Sequence, residues 1–177
     1  MKKCFIYLCL FTLTISLCAC SFLSGFFKSD DQIAKEKLDA VLQALENEDS
    51  EALKKLFSPK AISESDNFEN DLQALFDYFD GVTVSVGEYS PLHVSKKRDE
   101  DLERKIIYST YDIQTDKQTY RIAMQDIIYN TYEENNVGIY SLYIIIMSED
   151  TDPTYAYNGD GKYTPGINIG IKNIIHH

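Results

Sequence analysis

Acid–base chemistry in this chain would rest on two aspartates, Asp112 and Asp126. They stand in strand-like stretches that also carry Tyr108, Tyr111, Tyr120, Tyr129, Tyr140 and Tyr143. A carboxylate held away from water beside a phenol can take up and return a proton near neutral pH, because a low-dielectric site shifts both proton affinities. The alternative has both acids facing solvent and the tyrosines packing with a wet hydroxyl, which is the usual lot of strand tyrosines. Alternation with period two does not choose a face, since both faces of these strands carry apolar residues. A second cluster, Asp150, Asp152, Asn158 and Asp160, offers the oxygen ligands that calcium takes. It lacks the EF-hand spacing and its bidentate Glu, and Asn, Asp, Gly and Pro are equally the residues that turns require. Residues 149–166 therefore read as a turn-rich loop. His93, His176 and His177 have no ligand spacing with cysteine, and neither a G-x-S-x-G elbow nor a glycine-rich phosphate loop occurs. Neither a metal nor a cofactor is expected.

The four cysteines, Cys4, Cys9, Cys18 and Cys20, all fall in the first twenty positions. The start reads MKK and then CFIYLCLFTLTISLCA, the charged and apolar regions of a secretory signal. Leu17-Cys18-Ala19-Cys20 resembles the lipobox of bacterial lipoproteins, with Leu three before the modified Cys and a small residue just before it. Cys18 stands where Ala or Ser is commoner. This resemblance implies a signal peptide over residues 1–19, a diacylated Cys20 as first mature residue, and a tether over 20–30. Two acyl chains such as palmitate hold a protein stably on a membrane where one does so only marginally. The alternative is an uncleaved helix, because the apolar run continues through SFLSGFF for about two dozen residues, enough to span a bilayer. Both readings put the domain on the extracytoplasmic side of the cell membrane.

With no cysteine after Cys20, the remainder must be held by its core, and a chain of 177 residues suggests one domain, here 31–177. Net charge is -11. Loss of Lys2 and Lys3 with the signal peptide brings it to -13. Such a surface repels nucleic acid and anionic headgroups, so no nucleic-acid partner is expected.

Helical spacing of Ile33, Leu38, Val41, Leu42 and Leu45 predicts a first helix, capped by Ser29 or Asp30. A second, capped by Asp49 or Ser50, turns Ala52, Leu53, Leu56 and Phe57 inward and ends before Pro59. A third, capped by Ser65 or Asp66, buries Phe68, Leu72, Leu75, Phe76 and Phe79 and stops at Gly81. The period then changes to two. VTVSVGEY is a strand with Val82, Val84 and Val86 on one side, and SKKRDEDLERK is a solvated loop. KIIYSTYDIQT and TYRIAMQDIIYNTYE make a hairpin around DKQ. VGIYSLYIIIMS, apolar on both faces, is a covered central strand, and INIGIKNII adds an edge strand. Helices followed by strands give an α+β class, with three helices on one face of a curved, mainly antiparallel sheet of four to five strands.

Ala44–Leu45, Glu48–Asp49, Ala52–Leu53 and Leu56–Phe57 resemble the opening of the NTF2-like (cystatin-like cone) superfamily. The chain is also similar to uncharacterised bacterial lipoproteins with a late Y-T-P-G-I segment, here Tyr163 to Ile167. The resemblance implies a cone able to enclose an apolar pocket between helices and sheet, in which some relatives use an Asp base and a Tyr donor. The reading that follows is a non-enzymatic binding module for an envelope protein or a small-molecule ligand. The alternative is a small-molecule enzyme with Asp112 or Asp126 as base, and a third reading is an envelope component that forms a homodimer through its open sheet face.

Overall fold

The computed structural model describes residues 28–148 and 163–170. Cys20, the signal peptide, most of the tether, most of the 149–166 loop and the terminal histidines lie outside these residues. Two compact units divide the chain, Met1–Ile33 and Ala34–His177. In the first, Ser29 and Gln32 form a reciprocal capping box. The Gln32 amide donates to the Ser29 hydroxyl at 3.2 Å, and the Ser29 amide donates to Gln32 Oε1 at 3.0 Å. The helix α1 (Asp30–Glu46) thus opens with free donors satisfied, and Asp30 and Asp31 suit its positive end.

In the second unit α1 buries Leu38, Val41, Leu42 and Leu45 of the predicted stripe, whereas Ile33, in the first unit, is half-buried. Asp49 Oδ1 then accepts from the Ala52 amide at 2.9 Å and starts α2 (Ser50–Leu56). Pro59 does not merely end that helix. It opens another, α3 (Pro59–Glu64), where a missing N–H costs nothing, and the buried Ser58 hydroxyl accepts from the Ala61 amide at 3.0 Å. The described residues therefore hold four helices where three were expected. The last, α4 (Phe68–Tyr78), is preceded by Asn67 rather than Ser65 or Asp66 at the cap position, and Asn67 makes no side-chain cap bond. Phe68, Leu72, Leu75 and Phe79 are buried as predicted, and Phe76 is partly so.

Five strands follow in the order β1-β2-β3-β4-β5: β1 (Thr83–Asp99), β2 (Leu102–Thr115), β3 (Thr119–Asn130), β4 (Gly138–Ile146) and β5 (Gly166–Ile169). The first three pairings are antiparallel and β4–β5 is parallel, so the sheet is mixed and open, with β1 and β5 at its edges. The charged run expected as a loop is instead the tip of the β1–β2 hairpin. Lys96 pairs with Lys105, Lys97 with Arg104 and Arg98 with Glu103, and Glu100 turns the chain at φ 51°. A strand end bathed in water on both faces has the composition of a loop. Val82, Val84 and Val86 are exposed along this edge rather than buried.

Alternation separates the two faces of the sheet. On one, Tyr111, Ile113, Tyr120, Ile122, Met124, Leu142 and Ile144 join the helix residues in a single apolar core. Tyr120 is fully buried there, accepting from the Asp80 amide at 2.6 Å and donating to the Tyr78 carbonyl at 3.0 Å. Helices meet sheet closely at Gly138. Its φ is 124°, and a Cβ there would stand 2.9 Å from the Ser58 amide nitrogen, where that amide donates to the Ile139 carbonyl. The opposite, outer face carries Tyr108, Thr110, Asp112, Arg121, Ala123, Gln125 and Tyr143.

Candidate functional site

β1 does not run straight beside β2. Its register slips between Glu88 and Ser90 and again between Ser90 and His93, around Pro91. Proline is tolerated at an edge, and an extra residue bends the bulged strand. The bend brings Ser90, Pro91 and His93 to the rim of a cavity of about 160 Å³ on the outer face. Its floor comes from the middle strands. Tyr108 of β2 lies opposite Gln125 of β3, and Ala123 of β3 lies opposite Tyr143 of β4. Tyr163, just before β5, completes the wall.

Among the described residues the lining is aromatic and polar, with no Asp, Glu, Lys or Arg. The Tyr108 ring touches His93 on one side (centroids 5.4 Å apart, planes at 41°) and Tyr163 on the other (5.0 Å, 53°). Gln125 Nε2 donates to the Tyr108 hydroxyl at 3.4 Å, while Gln125 Oε1 is buried with no hydrogen-bond partner. Tyr143 is fixed from the β5 side, its hydroxyl accepting from the Thr164 amide at 2.7 Å. Asn168 donates to the Thr164 carbonyl at 3.0 Å and so ties the start of β5 to the same corner.

The two aspartates do not meet. They are on opposite faces, and neither lines the cavity. Asp112 accepts from Arg121 Nε at 2.8 Å and Nη2 at 3.2 Å, and the buried Arg121 guanidinium lies 3.5 Å from the centre of the Tyr89 ring. Asp126 faces the helices. Its side chain is 5% exposed, and Oδ1 lies 3.4 Å from Lys37 Nζ of α1, with no hydrogen bond to either oxygen. Burial pushes its pKa up, and the Lys37 charge offsets part of that rise. Neither acid is hydrogen-bonded to a tyrosine. Of the six strand tyrosines, Tyr108 and Tyr143 line the cavity, Tyr111 and Tyr120 are in the core, and Tyr129 is exposed. Tyr140 donates to Glu64 at 2.7 Å. Burial, then this carboxylate, raises the Tyr140 phenol to about 12.

Sequence reasoning passed over Ser90, Ala123 and Gln125, considered His93 only as a metal ligand and named Tyr163 only within the Y-T-P-G-I segment. One signal was present. Gln125 and Asp126 are adjacent polar residues inside the apolar run TYRIAMQDII, so one must fall on each face of a strand. Among the described residues, no three His, Cys, Asp or Glu side chains converge to hold a metal ion, and no helix is long and apolar enough to cross a membrane.

No curated protein matches the sequence. Residues 40–149 match the model of a family described as a domain of unknown function, DUF5104. The matched span runs from α1 to the end of β4 and holds both aspartates and most of the cavity lining. The chain belongs to this uncharacterised DUF5104 family.

Proposed function

We propose that this chain is a lipid-anchored binding module on the extracytoplasmic side of the cell membrane, holding a small uncharged ligand in the outer-face cavity. The cavity carries the reading. It is walled by tyrosines and has a buried amide at its floor. Pockets of this make-up bind through apolar area and take orientation from a few polar groups. Helices followed by a sheet with one face on a continuous core support an NTF2-like reading of the fold. In this chain the space between helices and sheet is taken by packed side chains, which moves the ligand to the other face. The LCAC segment supports acylation at Cys20, with residues 20–30 as tether.

Two measurements test the proposal. The full chain, purified from host membranes in detergent and released in a native mass spectrometer, carries a reproducible small adduct. Ala123→Leu, which fills the floor, removes it, while Asp112→Asn and Asp126→Asn keep it. A chain without any adduct sensitive to Ala123→Leu refutes the binding reading. Metabolic labelling with palmitate marks the wild type and not Cys20→Ser; equal labelling of the two refutes the anchor.

A further inference from the structure

We infer that the ligand of the outer-face cavity is a neutral monosaccharide ring, an inference that rests on the binding reading above. Size sets the first limit. The cavity of about 160 Å³ receives one six-membered ring, since a cavity of ~150 Å³ holds benzene, and the substituents of a larger ligand project from its mouth on the outer face. Charge sets the second. Among the described residues no Asp, Glu, Lys or Arg lines it, so these residues offer an ionic ligand no counter-ion, and the net charge of -11 repels anions further.

Hydrogen bonding sets the third limit. Gln125 reaches Tyr108 at 3.4 Å with one end of its amide, and its other end is buried without a partner. Turning the amide over exchanges the ends and leaves the same shortfall, since each end needs its own partner. The Ser90 and Thr110 hydroxyls stand at the same cavity. A purely apolar ring would keep all of these groups dry and unpaired. A ligand able to both donate and accept supplies the partner that Gln125 lacks and can reach the two hydroxyls.

Ring geometry sets the fourth. A flat heteroaromatic base is gripped best between two facing parallel rings. Tyr108 and Tyr163 instead touch each other at 5.0 Å with planes at 53°, so no slot opens between them. What remains is the joined aromatic surface of His93, Tyr108 and Tyr163, with Tyr143 at the floor and polar groups around it. A pyranose matches that arrangement, with its C–H face against the wall and its hydroxyls toward Gln125, Ser90 and Thr110.

The test uses the full chain in a polyoxyethylene detergent, which carries no sugar headgroup. Saturation-transfer NMR is run with glucose, galactose and N-acetylglucosamine, and with phenol and adenine as controls. At least one sugar is expected to bind with a millimolar or tighter Kd. Gln125→Met and Ala123→Leu each weaken it ten-fold or more with an unchanged thermal midpoint. Ser90→Ala, on the exposed bend, replaces Gln125→Met if that variant does not fold. Phenol or adenine binding that Ala123→Leu abolishes, with no sugar bound, overturns the sugar assignment and leaves the binding reading standing. If no probe binds in a manner sensitive to Ala123→Leu, the sugar assignment falls. The native adduct then decides the binding reading by itself.

Discussion

The ion pair between Lys37 and Asp126 makes the sharpest test of how helices and sheet are held together. Lys37→Met keeps the apolar stem of the side chain and removes the charge 3.4 Å from Asp126 Oδ1. At that distance and an effective dielectric of ~20 the gross attraction is about 5 kcal/mol. The Lys37 side chain is 23% exposed, so water screens part of it. Losses from breaking a buried pair run to about 3–5 kcal/mol, and with that screening we expect about 2–3 kcal/mol at pH 7.5. The loss depends on pH with a definite sign. Asp126 has a folded pKa raised above its ordinary 3.8, so its ionised form costs stability once pH rises through the folded value. Removing Lys37 raises that folded value further. The variant escapes the charge by taking up a proton, at about 1.4 kcal/mol per pH unit above the unfolded value, so its loss shrinks below about 2 kcal/mol at pH 5. With no tryptophan in the chain, urea unfolding is followed by tyrosine fluorescence and circular dichroism. The double variant Lys37→Met/Asp126→Asn recovers most of the loss, because the stranded charge is gone. A loss under about 0.5 kcal/mol at pH 7.5, or one unchanged between pH 5 and 7.5, would refute the reasoning.

Gly138→Ala meets the Ser58 amide nitrogen and the Leu56 carbonyl at a backbone φ of 124°, with only main chain to yield. It should cost about 3 kcal/mol or more in the same urea assay, and a cost within about 0.5 kcal/mol would mean the Ser58–Ile139 contact is loose. Ser58→Ala deletes the cap of α3 inside a fully buried site and should cost about 1–2 kcal/mol, while Ser58→Thr restores part of it. Tyr140 should stay protonated through the main phenol titration and ionise near 12, so stability falls between its unfolded value of 10.0 and about 12. The difference between wild-type and Tyr140→Phe absorbance titrations measures this; a difference centred at 10 refutes it.

The helices were legible because each has one wet face and one dry face, and Leu38, Val41, Leu42 and Leu45 announce that division along the chain. The middle strands were legible from runs such as IIYSTYDI and YIII, whose length and β-branching leave little choice. The β1–β2 tip was not, because Lys96 to Arg98, exposed on β1, pair with the charged Glu103 to Lys105, and no apolar face marks the strand. The cavity was hidden for a different reason. His93, Tyr108, Gln125, Tyr143 and Tyr163 lie far apart in sequence, and they meet only because two bulges bend β1 and a parallel strand returns beside β4. Polar residues inside an apolar strand carry the recoverable part of the signal. Gln125 and Asp126 are neighbours in the chain, yet the pleat sends one to the cavity and the other to Lys37 beneath the helices. One residue of slip in β3 would exchange them, putting a carboxylate among the tyrosines and an amide under α1. The two-residue polar break therefore ties the register of β3 to the chemistry of the outer face, so that the cavity stays uncharged only while the Lys37–Asp126 pair is seated.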